Sequence, residues 1–197
     1  MRRGRLFVVA GPSGAGKGTL IAELLKRYPR TRLSVSATTR EPRPGESDGV
    51  DYHFLGREEF LRRAGAGEFL EWAEVHGNLY GTPRGTVEEW LEKGHDVVLE
   101  IDVQGARQVR ERMPEAVTIF VEPPSLEALE ERLRRRGTES EEELQRRLRN
   151  AVRESGEKEG FRYVVMNDDL QRAVEELCAI YEEESASAEA RKRGDWR

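Results

Sequence analysis

Four apolar runs punctuate the chain at wide intervals, and none alternates cleanly with polar residues. LFVVA (6–10), DVVLEID (96–102), AVTIFVE (116–122) and YVVMND (163–168) are each short and nearly continuous. Runs of that kind predict strands buried on both faces of a sheet rather than strands with one wet face. Between and after them the period changes. TLIAELLKRY, GARQVRERM, SLEALEERLRRR and DLQRAVEELCAIYEEE carry apolar residues at the spacing of one helix face. Strand and helix therefore alternate, which predicts an α/β fold with a parallel sheet covered on both sides by helices. SVSAT (34–38) is the candidate for a fifth strand of that sheet.

Two stretches interrupt the alternation. Residues 35–82 hold short strand-like pieces (DYHF, EFLEWAEV, NLYGT) and one short helical pattern at REEFLRRA, and read as a small mixed lobe. Residues 126–160 are almost wholly helical and charged, with a break near RRGTES. Ser140, followed three positions later by Glu143, has the form of a capping box that restarts a helix there. A helix, break, helix excursion before the last strand suits a lid; the plainer alternative is a solvated helical hairpin whose charges pair at i,i+4. The expected organisation is a core made of residues 1–34, 83–125 and 161–197, with insertions at 35–82 and 126–160. The closing SASAEARKRGDWR is expected to fray.

Composition narrows the partners more than the fold. With 197 residues the chain can bury a sizeable core in one compact unit. Charged residues make up 36% of it and hydrophobic ones 37%, so much helix surface must be exposed and ion-paired. A formal net charge of −5 argues against a general nucleic-acid binder, whose domains are usually basic. The basic residues must act locally, and because 28 of the 33 are Arg, no arginine is informative by its type alone. A single cysteine, Cys178, cannot form an intramolecular disulfide and falls in a helical pattern that gives it a small buried apolar role. The apolar run after MRRGR is too short for a signal peptide or a membrane span, which predicts a soluble, cytoplasmic protein with no membrane partner.

Candidate chemistry sits at the ends of the predicted strands. GPSGAGKGT (11–19) follows the first strand and opens a helix, and its Gly11, Gly16 and Lys17 fit G-x-x-x-x-G-K. Glycines let such a loop curl until backbone N–H groups converge on phosphate oxygens, the helix N-terminus adds positive potential, and Lys17 reaches the β and γ phosphates. The whole loop, from Gly11 through Pro12, Ser13, Gly14, Ala15, Gly16, Lys17 and Gly18 to Thr19, is a candidate triphosphate cradle. Gly18 stands where Ser or Thr usually holds Mg²⁺, and Thr19 comes one later. The metal's protein ligand is therefore open between Thr19, water and a carboxylate such as Asp102. Glu100 and Asp102 close VVLEID, at the strand end where ligands of open α/β sheets bind. They could hold Mg²⁺ through water or take a substrate hydroxyl or amine. A second anion-friendly stretch, SVSATTREPRPGESDGVDYHF (34–54), gathers Ser34, Ser36, Thr38, Thr39, Arg40, Arg43 and Tyr52 with little apolar pattern between them.

Taken in order, GPSGAGKGT, SVSATTREPRPGE, DGVDYHF, EFLEWAEVHGNLYGT, EIDVQGA, RGTESEEELQRRL and VMNDDL resemble guanylate kinase over residues 6 to about 180. The SVSATTR-x-PR-x-GE run is far more specific than the phosphate loop. The resemblance implies a P-loop NTPase-type α/β/α core with a five-stranded parallel sheet, a GMP-binding lobe at 35–82 and a helical lid at 126–160. It also implies the reaction ATP + GMP = ADP + GDP by direct in-line transfer, with ATP as donor, Mg²⁺ as cofactor and dGMP as a further acceptor. Residues matching Arg40, Arg43, Tyr52 and Tyr80 hold the GMP phosphate in that family, and Glu71 matches the carboxylate that takes guanine N1–H and N2–H₂. Ser36 and Thr82 match hydroxyls that finish the base contacts, with Asp102 close by and Glu100 counted on the same substrate side. Arg132, Arg136 and Arg147 match lid arginines, whereas Arg134 and Arg135 match nothing and are expected to be solvated. Charge on the moving phosphoryl group then falls to Lys17, Arg40, Arg136 and Arg147. Asn167 resembles a loop residue near the adenine of ATP, and could equally cap the next helix through an Asx turn. Bacterial-type members of the family also associate, so a homo-oligomer is compatible with the resemblance.

These roles agree with the chemistry of the residue types. Arginine offers fork-shaped, charge-assisted donors to phosphate. Adenine would turn its N1 lone pair toward the carboxylate and leave buried groups unpaired, a mismatch that can reach about 10⁴–10⁵ in discrimination. Adenylate kinase also uses GKGT, so Ser36, Glu71 and Thr82, rather than the loop, favour guanine. Guanylate-kinase-like scaffold domains would be expected to lack the loop or the lid arginines, and this chain keeps both. His53, His76 and His95 show no metal-ligand spacing and are expected to be incidental.

Overall fold

The computed structural model describes the backbone of residues 2–75, 77–136 and 140–193, with the side chains of Arg136 and of residues 187–193 outside the description. Within those residues nine strands form two sheets. The strands are β1 (Leu6–Ala10), β2 (Arg32–Leu33), β3 (Ala37–Thr38), β4 (His53–Phe54), β5 (Phe69–Val75), β6 (Asn78–Pro83), β7 (Val97–Glu100), β8 (Val117–Glu122) and β9 (Tyr163–Met166). The helices are α1 (Lys17–Arg27), α2 (Arg57–Gly65), α3 (Arg84–Glu92), α4 (Val103–Arg112), α5 (Leu126–Arg136), α6 (Glu141–Ser155) and α7 (Leu170–Arg193).

The larger sheet is parallel and ordered β2-β7-β1-β8-β9. Every residue of the central strand β1 is buried, as its unbroken apolar run predicts. Strand alternation divides that burial between two layers. Phe7 and Val9 pack among Leu20 and Leu24 of α1 and Val174 and Leu177 of α7, while Leu6, Val8 and Ala10 pack among Val87 and Leu91 of α3 and Ala106 and Val109 of α4. The expected α/β/α layering therefore stands. Cys178 is buried in the α7 side of this core.

Two expectations need correction. The fifth strand of the large sheet is Arg32–Leu33 and not SVSAT: Arg32 and Leu33 pair with Val97 and Val98, and Ser34 N–H still donates to Val98 O. Val35 and Ser36 then carry the chain across, and Ala37–Thr38 joins the small sheet. The chain after Arg193 lies outside the description, but the part of the tail before it, expected to fray, continues α7. Helix α3 has no counterpart among the predicted elements; Gly85 and Thr86, both poor helix formers, obscure Val87, Trp90 and Leu91 at helical spacing.

The small sheet, β4-β3-β6-β5, closes over a satellite core of Ala37, Phe60, Phe69 and Leu79. Its strand β5 carries a bulge, with the register slipping between Phe69 and Glu71 against β6. A bulge re-aims a side chain. Here it gives three consecutive buried positions, Phe69, Leu70 and Glu71, where strict alternation would have exposed one. Helices α5 and α6 pack on each other through Leu129, Leu133, Leu144, Leu148 and Ala151, and Ser140 and Glu143 form the predicted capping box.

Candidate active site

From β1 the chain leaves on one side for β2, and β8 lies on the other, so the loop after β1 sits at the switch point of an open parallel sheet. Gly11 and Gly16 have φ of 142° and 95°, a region that favours glycine. Space forbids a side chain there as well: a Cβ would lie 2.3 Å from Val121 O at Gly11 and 2.3 Å from Asn167 Nδ2 at Gly16. Lys17 Nζ donates to Gly11 O and Pro12 O at 2.7 and 3.1 Å, so the lysine is folded back over its own loop.

The loop is braced from behind and from the side. Asn167 is buried and its side-chain amide donates to Ala15 O at 2.7 Å, while its backbone carbonyl accepts from Arg132 Nη2 at 2.8 Å. Asp169, not Asn167, caps α7 by accepting from Arg172 N–H. Arg147 Nη1 donates to Ser13 Oγ at 2.8 Å, and Leu129 and Leu133 of α5 stand where a Cβ of Gly14 would be. Two of the three matched arginines thus already touch the loop; the side chain of Arg136 lies outside the described residues, as does His76. Arg134 and Arg135 are exposed and pair with Glu130, Glu141 and Glu131.

A cleft of about 540 Å³ runs from this loop to the small sheet. Lys17, Gly18 and Thr19 of the loop line it, together with Arg40, Arg43, Tyr52 and Tyr80, and with Ser36, Glu71, Glu100 and Asp102. Arg40 is held ready rather than loose. Its Nη2 spans both oxygens of Glu46 at 2.8 and 2.9 Å, and its guanidinium lies 5.3 Å from the Tyr52 ring centre. That contact with Arg40 holds the Glu46 carboxyl below its usual range, and burial pushes the Tyr52 hydroxyl up. Ser34, 6% exposed, lines the cleft too, and its hydroxyl has no partner among the described residues.

Glu71 is only 3% exposed. Thr82 supplies its hydrogen bonds, the hydroxyl at 2.6 Å and the backbone N–H, and no lysine or arginine ion-pairs with it among the described residues. Burial pushes its carboxyl up to about 7, Asp102 adds to that, and Thr82 opposes it. Thr82 itself is buried behind Glu71 instead of lining the cleft. Asp102 caps α4, accepting from Gly105 N–H at 2.9 Å.

Three participants escaped the sequence reading. Glu154 lines the cleft from α6 and is pushed up to about 7 by burial, with Lys17 pulling it down. It lies two helical turns after Arg147, so an i,i+7 reading of α6 would have found it. Glu46 orients Arg40 and was hidden in a run of turn residues. The third is Gly105, buried in the first turn of α4.

Among the described residues no group of three or more carboxylate, histidine or cysteine side chains forms a metal cage. The donor set nonetheless fits Mg²⁺, which is usually held by one or two carboxylates, water and substrate phosphates. Glu100 faces Gly18 so closely that a Cβ there would stand 3.4 Å from its Oε2. A carboxylate thus lies where the loop lacks its usual hydroxyl.

Comparison with known proteins follows the same line. A family profile described as guanylate kinase matches residues 3–184. The chain is 59% identical over 180 residues to a guanylate kinase of Rubrobacter xylanophilus, covering 91% of this chain and 94% of that one. It is 58% identical over 184 residues to one from Symbiobacterium thermophilum, covering 93% and 87%. Among solved structures it is similar to guanylate kinase from Anaplasma phagocytophilum, with a TM-score of 0.79, 38% identity, and coverage of 93% and 87%.

Proposed function

The chain belongs to the guanylate kinase family, and on that footing we propose which of its residues bind, orient and enclose the two nucleotides. It is an ATP-dependent phosphotransferase that passes a phosphoryl group to GMP, giving ADP and GDP. The observation that carries the guanine assignment is Glu71, a buried carboxylate with no ion pair among the described residues, in the lining of a cleft that also holds the phosphate loop.

In this reading the loop 11–19 holds the ATP phosphates, and Lys17 swings from its own carbonyls onto them. Arg40, Arg43, Tyr52 and Tyr80 take the GMP phosphate, and Arg40 needs little reordering because Glu46 already sets its fork. Glu71 accepts from guanine N1–H and N2–H₂, Ser36 completes the base contacts from the cleft lining, and Thr82 acts from behind by holding Glu71. The acceptor oxygen on GMP is already anionic near neutral pH, so transfer needs charge neutralisation and alignment more than a base. Arg132, Arg136 and Arg147 supply cations from the 126–160 lid, whose closure also excludes water. Thr19, Glu100 and Asp102 would hold Mg²⁺ directly or through water, and the ion would neutralise charge on the transferring phosphoryl group. None of these assignments engages the ribose 2′-hydroxyl, which supports dGMP as a second acceptor. Among the described residues no helix is long and apolar enough to cross a membrane, in keeping with work in the cytoplasm.

The test is ADP release from Mg·ATP with GMP, AMP, CMP or UMP offered singly. Rapid turnover with GMP alone is expected. Equal turnover with AMP would overturn the guanine assignment, and no turnover with any of them would overturn phosphotransfer.

A further inference from the structure

We propose that Gly105 is a specificity-determining position, because the absence of its side chain is what lets the Glu71 carboxylate take up its guanine-reading place; this rests on the cleft being the GMP site. Gly105 lies buried in the first turn of α4. A Cβ on it would stand 2.3 Å from Glu71 Oε2, 2.9 Å from the Glu71 carboxyl carbon and 3.2 Å from Asp102 Oδ1. The carboxylate therefore occupies the volume that any side chain at 105 would need. The backbone does not ask for glycine here, since the residue is helical and has no positive φ. Alanine would be the better helix former.

Neither partner can simply step back. The same face of α4 is stitched to β5 by Gln108, whose Nε2 donates to Trp72 O at 2.7 Å, and by Arg112, which donates to Leu70 O. Those bonds flank Glu71 on its own strand and hold the helix at its distance. Glu71 is pinned on its other side by Thr82 at 2.6 Å. A methyl group at 105 would then be relieved by moving the carboxylate off Thr82 and out of line with two adjacent donors. Gly105 does not line the cleft. It is a positioning residue that acts through Glu71.

The experiment compares kcat and KM for GMP, IMP and AMP in wild type, Gly105→Ala, Glu71→Ala and the double variant, with thermal melting of each. IMP lacks the 2-amino group, so the GMP-to-IMP ratio reads the carboxylate's alignment. Gly105→Ala should raise KM for GMP and lower the GMP-to-IMP ratio, each by about tenfold or more, with kcat at saturating GMP little changed and melting unchanged or higher. Adding Gly105→Ala to Glu71→Ala should change neither constant further. An undiminished ratio in Gly105→Ala, or independent losses in the double variant, would overturn the inference while leaving GMP as substrate. Should Gly105→Ala fail to fold, the double variant must fold, since the conflicting carboxylate is gone; failure of both would also overturn it. A wild type with no preference for GMP would sink the functional reading itself, and this inference with it.

Discussion

Two glutamates are buried in this protein to nearly the same depth, at opposite ends of the strands, and their surroundings differ in kind. Glu184 of α7 is 1% exposed and lies at the amino ends of β1 and β9, where Arg5, Arg162 and the hydroxyl of Tyr163 all donate to it. Neighbouring Asp96 is treated alike, by Arg2, Tyr181, Ser185 and the backbone of Arg5. Glu71, 3% exposed near the carboxyl ends, has Thr82 and no ion pair among the described residues. Burying a carboxylate is costly unless it is paired. Where the chain supplies the partners, the group is architecture. Where it withholds them, the carboxyl is pushed up to about 7, and under the proposed assignment guanine brings the missing donors.

Removing each carboxylate should therefore have opposite consequences. Glu71→Ala is expected to lower kcat/KM for GMP by about 10³-fold or more, equivalent to about 4 kcal/mol, because guanine's paired donors lose their acceptor in a buried site. Melting should be unchanged or raised, which differential scanning calorimetry reads on the same samples. Glu184→Ala should do the reverse. It strands Arg5, whose side chain is 10% exposed, and a broken buried pair costs about 3–5 kcal/mol. Chemical denaturation should show that loss, while kcat and KM measured well below the melting point stay within about twofold, since the network is remote from the cleft. A Glu184 variant that loses activity but not stability would erase the distinction between the two ends.

How much of this was legible beforehand follows from which interactions are local. The runs LFVVA and AVTIFVE announced the buried sheet because a strand covered on both faces needs no polar partner and shows none. The phosphate loop was legible because its geometry is made by its own glycines. Arg40 stood out only as a member of an anion-friendly stretch, and its role, like Glu71 itself, could be named only through the resemblance, since one is among many arginines and the other reads as an exposed position of an alternating strand. The bulge at Phe69–Glu71 that turns Glu71 inward arises from register against β6, which no spacing within β5 reveals. Gly105 looked like an ordinary helix residue because its reason lies more than thirty positions away, in the side chain it makes room for.

The raised Glu71 carboxyl also makes stability depend on pH, in a direction that can be worked out. Its ordinary value is near 4.5 and its folded value about 7. Between them the unfolded chain has released the proton and the folded protein still holds it. Folded stability should therefore fall as pH rises from about 4.5 to about 7 and level off above, by an amount on the order of 3 kcal/mol from this group. Glu154, also raised to about 7, acts in the same window, so the difference between wild type and Glu71→Gln isolates Glu71. Denaturant titrations of the free protein at several pH values would show it. The ionised form is the one that accepts from guanine, so GMP binding should release protons below pH 7, and calorimetry in buffers of different ionisation enthalpy would count them. No difference between wild type and Glu71→Gln across that range would mean the carboxylate has more company than the structure gives it.

The smallest effect should come from Thr82→Val, which alters the environment of Glu71 without removing it. The hydroxyl at 2.6 Å favours the ionised carboxylate and opposes the effect of burial. Valine keeps the buried volume but takes that donor away, a loss of about 1–1.5 kcal/mol, or about one pH unit. The pH at which GMP affinity reaches half its plateau should move upward by about that much, and GMP should bind more weakly near neutrality than at pH 9. A direct role of Thr82 at the base would weaken binding at every pH alike. An upward shift that closes at high pH therefore assigns the hydroxyl to Glu71, and a uniform loss assigns it to the nucleotide.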